Sequence, residues 1–231
     1  MKIGIIGAME EEVALLKENI EITDEVIVGT CRYYIGKMHG VDVVLLLSGI
    51  GKVNAAMSTA ILLEKFKPDC IINAGSAGGF SKGLKVGDIV ISTEVVHHDV
   101  DITAFGYLHG QVAQLPATYQ ADEKLVDLAY EIASKIEGVN VEKGLIASGD
   151  IFIHTPEQRA TIHGHFPELK AGEMEAAAVA QVAFQFNVPF VIARSLSDIA
   201  GDNSGISFDK YIKKAAENSA TLIIEMVKRL K

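Results

Sequence analysis

Val191-Ile192-Ala193-Arg194-Ser195-Leu196-Ser197-Asp198 is the stretch that decides how this chain folds. An apolar run that passes into polar residues and stops on a carboxylate reads as a buried strand presenting a side chain at its end. Upstream, Gly172-Glu173-Met174-Glu175-Ala176-Ala177-Ala178 repeats the device, with a strand-like entry followed by an alanine-rich helix. A third carboxylate, Glu12, follows the apolar run Lys2-Ile3-Gly4-Ile5-Ile6-Gly7. Open α/β sheets build their sites at such strand ends. Three carboxylates so placed point to acid/base chemistry on a small polar substrate.

Outward from these stretches, strands alternate with helices. The pattern predicts a helix over 10–19, a hairpin through 26–28 and 33–35, a strand over 41–47 and a helix over 53–66. A strand over 70–74 follows, then strands over 86–93 and 141–147 and helices over 121–136 and 156–165. A helix over 175–186, a strand over 190–196 and a helix over 208–230 complete the chain. Ser48-Gly49-Ile50-Gly51-Lys52 and Gly75-Ser76-Ala77-Gly78-Gly79 read as glycine turns after buried strands, where backbone N–H groups can approach a ligand. Residues 97–116 lack periodicity, and a loop of that length is usually functional or covered by a partner. No linker or internal repeat divides the sequence. The expectation is a single three-layer α/β/α domain over 1–231, with helices on both faces of a central mixed, twisted sheet.

The chain has 231 residues, 49% of them hydrophobic, and a formal net charge of −9 without a basic block. That argues against nucleic acid and anionic membranes as partners. No run approaches the ~20 apolar residues of a membrane span. No targeting segment is visible, and Cys31 and Cys70 are far apart, so a cytoplasmic protein with reduced cysteines is expected.

Several motifs have plain structural readings. Glu10 and Glu11 fit first-turn acids that complement a helix N-terminus, and Glu12 fits either that role or a site. Neither glycine turn has P-loop spacing, and Gly4-Ile5-Ile6-Gly7-Ala8 is not a dinucleotide fingerprint. The histidines, including His97-His98, show no ligand spacing, so no metal and no cofactor are expected. Asp198 could cap a following helix. Arg194 inside an apolar run requires a carboxylate or polar site beside it.

The chain resembles the 5′-methylthioadenosine/S-adenosylhomocysteine nucleosidases of the purine nucleoside phosphorylase-type superfamily. The resemblance lies in Gly4–Glu12, Ser48–Ala56, Asn73–Gly78, His98–Tyr107, Ser148–Ile153, Glu173–Ala176 and Arg194–Asp198, in family order over nearly the whole chain. It implies a nucleoside phosphorylase-like fold and hydrolysis of the bond between adenine and a 5′-thio-substituted ribose, 5′-deoxyadenosine included. Asp198 would then be the general acid on adenine N7, with a pKa raised by burial or by the purine. Glu12 would hold and activate the attacking water, helped by Ser76 and Arg194, and Glu175 would bind the ribose hydroxyls with Met174 against the sugar. The resemblance further implies that Phe152 stacks on adenine while the Ile153 backbone bonds its edge. Met9, Ile50 and Phe208 would wall the ribose and thioalkyl end, and Ala8, Gly78 and Ser197 would complete the binding set. Ile102, Phe105 and Tyr107 would enter the neighbouring pocket of a homodimer.

Two segments depart from the family pattern. Gly172 stands where Val is more frequent, and Val112-Ala113-Gln114-Leu115-Pro116 replaces the usual loop sequence. Both are expected to bear on the thioalkyl end of the pocket. A phosphorylase is the nearest rival reading, but the positions where related phosphorylases carry Arg hold Glu10–Glu12 and Asn73 here. A hydrolase of another 6-amino nucleoside, such as aminodeoxyfutalosine, and a non-catalytic nucleoside sensor are further rivals.

Overall fold

In the computed structural model, strand β1 (Lys2–Gly7) enters the core at once and leads into helix α1 (Glu10–Glu18). The hairpin β2 (Glu21–Val28) and β3 (Cys31–Met38) is longer than its apolar centres predicted, and β4 (Val41–Leu47) returns beside β1. Helix α2 (Lys52–Phe66) follows the first glycine turn, and β5 (Cys70–Gly79) comes next. Then come β6 (Ile89–His97), a two-residue strand β7 (Tyr119–Gln120), α3 (Glu123–Ala133), β8 (Val141–Ser148) and α4 (Pro156–His165). The chain continues through β9 (Leu169–Glu173), α5 (Ala176–Phe186), β10 (Phe190–Ile199) and α6 (Ser204–Arg229). The structure describes residues 1–201 and 204–230, with side chains 204–207 and 209 outside that description.

Period-two alternation sorts the buried strand residues onto two faces. Ile5, Leu45, Ile72 and Val191 face Val13, Leu16, Leu125 and Leu222 from α1, α3 and α6. Their neighbours Ile6, Leu46, Ile71 and Ile192 face Leu62 and Leu63 of α2 and Ala176, Ala177 and Ala180 of α5. The alanines let α5 lie close to the sheet and to α2, which is why that helix is alanine-rich. A smaller cluster of Phe80, Val96, Ala147, Ile153, Ile162 and Leu169 is closed at one end by α4.

The ten-stranded mixed sheet runs β10-β6-β8-β9-β5-β1-β4-β3-β2, with β7 beside β6. It is not simply open, because β10 also pairs with β5, so β5, β10, β6, β8 and β9 form a closed ring. The predicted second glycine turn does not exist as a turn. Residues 75–79 continue β5, paired with β10 through Gly79. These glycines serve close approach rather than chain reversal. A Cβ on Gly75 would lie 2.8 Å from Glu12 Oε1, and one on Gly78 would lie 3.1 Å from Asp198 Oδ2. The first turn is a true turn, with φ +83° at Gly49 and +92° at Gly51.

One feature of β5 makes room for a site. On one side its first half pairs with β1 as far as Asn73, and its last two residues pair with β9. Between them, residues 74–77 lack a strand on that side, and their backbone groups are free to meet side chains. This is a switch point of the kind that holds ligands in α/β sheets.

Candidate active site

A cavity of about 420 Å³ opens over that gap. Glu12 reaches it from the first turn of α1. Its Oε2 accepts from the Ala8 N–H at 2.9 Å and the Met9 N–H at 3.2 Å. Its Oε1 accepts from the Ser76 N–H at 2.9 Å and Ser76 Oγ at 3.0 Å. One carboxylate thus closes the N-cap at Met9 at the start of α1 and lines the cavity.

Glu173 and Glu175, alike in residue pattern, are separated by the structure. Glu173 ends β9 and accepts from the Glu175 N–H at 3.0 Å, the Ala176 N–H at 2.9 Å and Ser148 Oγ, so it is the acid that caps α5. It also meets Arg194 Nη2 at 2.6 Å in a buried ion pair. Arg194 Nη2 bonds Asn73 Oδ1 at 2.7 Å as well, which supplies the polar partners its place in an apolar strand required. Burial works against the Arg194 charge, but the carboxylates of Glu173, Glu12 and Glu175 outweigh it and raise the guanidinium pKa above its ordinary value. Glu175 faces the cavity, with Oε1 accepting from the Gly51 N–H at 2.8 Å. Burial, and next the neighbouring Glu173 charge, push its carboxyl up to about 8.

Asp198 lies inside β10, where the sequence predicted a strand end or a helix cap. Its strand carries a bulge: Leu196 pairs with Ala77 and Asp198 with Gly78, which leaves Ser197 as the extra residue. A bulge breaks the alternation of side chains. Consecutive Ser197 and Asp198 consequently both line the cavity, and Ser197 Oγ donates to Asp198 Oδ1 at 2.8 Å.

The apolar wall comes from Ala8, Met9, Ile50, Met174, Phe152 and Phe208, the last two edge-to-face with ring centres 6.0 Å apart. Ser76 and Gly78 line it too. Some predicted residues stand elsewhere. Arg194 does not line the cavity; it sits behind Glu173. Ile153 is also absent from the lining, its side chain packed in the small cluster and its carbonyl accepting from the Gly201 N–H at 3.3 Å. Ile102, Phe105 and Tyr107 do not line this chain's cavity; they belong to the long loop after β6, where Phe105 is 81% exposed. Sequence reasoning missed Ala77 as part of the lining and Ser148 as the partner of Glu173. Asn73 inside an apolar strand was the available signal for the Arg194 cluster. His97 and His98 are buried, and burial lowers both imidazole pKa values.

Carboxylates on three separate elements around one mostly apolar cavity suit cleavage of a bond that leaves positive charge on a sugar. A family model described as the phosphorylase superfamily matches residues 2–228. A 5′-methylthioadenosine/S-adenosylhomocysteine nucleosidase of Anoxybacillus flavithermus is 59% identical over 100% of this chain and 99% of its own. The chain belongs to this nucleosidase family.

Solved nucleosidases superpose closely on it. The Neisseria meningitidis nucleosidase in complex with methylthio-immucillin-A has a TM-score of 0.96 at 54% identity, covering 99% of each chain. The Colwellia psychrerythraea nucleosidase in complex with adenine has a TM-score of 0.97 at 46% identity, covering 100% of this chain and 96% of its own. Gly172, where the sequence departs from the nucleosidase pattern, lines the cavity, pairs with Gly78 beside Asp198, and packs against Ile153 and Phe80.

Proposed function

We propose that this protein hydrolyses the N-glycosidic bond of 5′-methylthioadenosine and S-adenosylhomocysteine, and also of 5′-deoxyadenosine, releasing adenine and the 5′-substituted ribose. The observation that carries hydrolysis rather than phosphorolysis is the cavity lining. Its described residues include Glu12, Glu173, Glu175 and Asp198, and no Lys or Arg. Phosphate in such a pocket would lack the cationic donors that phosphoryl and phosphate groups need. Water suffers no such repulsion.

In this reading Asp198 protonates adenine N7 as the glycosidic bond lengthens. It is 2% exposed and lines the cavity, where a base can reach it. Ser197 Oγ donates to its Oδ1 and so helps to orient the carboxyl group in the cavity. Glu12 takes a proton from the attacking water, with both of its oxygens held in place by the Ala8, Met9 and Ser76 donors. Glu175 binds the ribose hydroxyls, and the acidic lining stabilises the oxocarbenium-like charge on the sugar. Phe152 stacks on the base, Ile153 offers its backbone to the adenine edge, and Arg194 acts on the water's surroundings through Glu173.

The exposed apolar side chains Phe105, Leu108, Val53 and Met57 support a homodimer in which Ile102, Phe105 and Tyr107 complete the neighbouring pocket. No described helix is long and apolar enough to cross a membrane, and a cytoplasmic, single nucleosidase domain is the corresponding proposal. Adenine release from 5′-methylthioadenosine in phosphate-free buffer tests the reaction. Release that requires added phosphate would reassign the protein to the phosphorylases, and binding without any release would make it a sensor.

A further inference from the structure

The Gly51 N–H that holds Glu175 belongs to a turn of two glycines with positive φ, whose Gly49 and Ile50 carbonyls accept from Ser48 Oγ at 3.0 Å and Asn54 Nδ2 at 2.7 Å, while its N–H groups find no acceptor among the turn's own side chains. Gly51 is also the N-cap of α2 and supplies no side-chain acceptor to the helix. The missing acceptor comes from far along the chain. Asp150, in the segment after β8, accepts from the Lys52 N–H with Oδ1 at 2.8 Å. Its own N–H donates to Asp99 Oδ2 at 3.0 Å, and Asp99 Oδ1 meets Lys52 Nζ at 2.5 Å. Lys52 is thereby held at both its backbone and its ammonium, one residue beyond the N–H that contacts Glu175. Gly51 is tight against this arrangement, because a Cβ there would lie 3.1 Å from Asp150 Oδ1.

We propose that Asp150 is a positioning residue for the reaction: it fixes the turn over 49–52 so that the Gly51 N–H stays aimed at Glu175, and so sets how firmly the sugar is held. This rests on the ribose-binding role proposed above for Glu175. Asp150 is exposed in this chain, so its substitution leaves the core untouched.

The test compares Asp150→Ala, Asp150→Asn and Glu175→Gln by calorimetric binding of adenine alone and of a non-hydrolysable 5′-methylthio nucleoside analogue with both ribose hydroxyls. Asp150→Ala is expected to weaken the nucleoside analogue by about tenfold, the usual worth of one hydrogen bond to a charged group. Adenine affinity should change by less than about twofold, since the Gly51 N–H acts through Glu175 on the sugar, whereas a displaced Phe152, two residues beyond Asp150, would weaken adenine as well. Asp150→Asn keeps an oxygen acceptor for the Lys52 N–H and should recover most of the loss. Equal weakening of adenine and nucleoside, no weakening, or no recovery in Asp150→Asn would each overturn the proposal. If Glu175→Gln leaves nucleoside affinity intact, the ribose role itself fails; if only Asp150→Ala does, the positioning role alone fails.

Discussion

Arg194 and Glu173 form a 2.6 Å ion pair with side chains only 2% and 3% exposed, Glu173 at the cavity wall and Arg194 behind it. The pair anchors two strands, β10 and β9, at the level where each delivers a site carboxylate. Glu173 is further committed to the N-terminus of α5 and to Ser148, so the guanidinium holds a capped helix end as well as a charge. Removing one partner leaves the other charge buried, a loss of about 3–5 kcal/mol. Arg194→Met should therefore lower the urea midpoint markedly and reduce turnover through displaced Glu173 and Glu175. Pairing it with Glu173→Gln should recover part of the stability, because no charge is then stranded. A double-mutant cycle by equilibrium unfolding measures this. Additive losses would show that the pair does not act as a unit.

Glu175 predicts a stability that depends on pH. Burial and the Glu173 charge raise its folded-state pKa to about 8, against an ordinary glutamate value near ~4.3 in the unfolded chain. Between those values the native state keeps a proton that the unfolded state has released, so stability falls as pH rises through that window. Its contribution is fully present below about pH 4 and fully lost above about pH 8. Glu175→Gln removes the titration. The variant should be more stable than the parent at pH 8.5 and lose less stability between pH 5 and 8.5, as read by urea unfolding across that range.

Gly172→Val tests the family departure. The added Cβ would meet Ile153 Cδ1 at 2.9 Å and Phe80 Cε2 at 3.0 Å, so one or both side chains must shift. Overpacking of this kind costs about 1–3 kcal/mol. Because Ile153 follows Phe152, the side chain proposed above to stack on the base, the KM for methylthioadenosine should rise and inhibition by adenine should weaken. Preference among 5′-substituents should stay the same, since the nearest neighbours of the added Cβ are Ile153 and Phe80 rather than Met9 or Ile50. A changed 5′ preference without change in adenine inhibition would tie Gly172 to the thioalkyl end instead.

The sequence made the repetitive parts legible for a physical reason. Ile5–Ile6, Leu45–Leu46 and Ile71–Ile72 are apolar on both faces, as strands between two helix layers must be. Long-range departures from that pattern were not legible. The glycine run 75–79 looked like a turn because glycine tolerates positive φ, yet here it is an extended strand stripped of side chains to admit Glu12 and Asp198. The β10 bulge has no local signature either, since it arises from pairing with β5, and it is what puts Ser197 and Asp198 on one side. The residue pattern left Glu173 and Glu175 alike and the family resemblance alone singled out Glu175; in the structure Ser148, Arg194 and Gly51, all remote in sequence, give the two carboxylates different partners.

Asp198→Asn carries the strictest prediction about the chemistry. An amide is nearly isosteric, can still bond Ser197 Oγ, and cannot pass a proton to adenine N7. Substrate binding should survive while kcat falls, with general-acid catalysis worth about 10²–10⁴ in rate. The loss should be smaller for a nucleoside whose base is already a good leaving group, because that base needs less protonation to depart. Ser197→Ala makes the complementary test: it removes the Ser197 Oγ bond to Asp198 Oδ1 without removing the acid, so a decline well short of that in Asp198→Asn is expected. Single-turnover adenine release for both variants, with methylthioadenosine and with an activated base, separates these effects. Near-normal turnover in Asp198→Asn would mean that another group, or no group, protonates the purine.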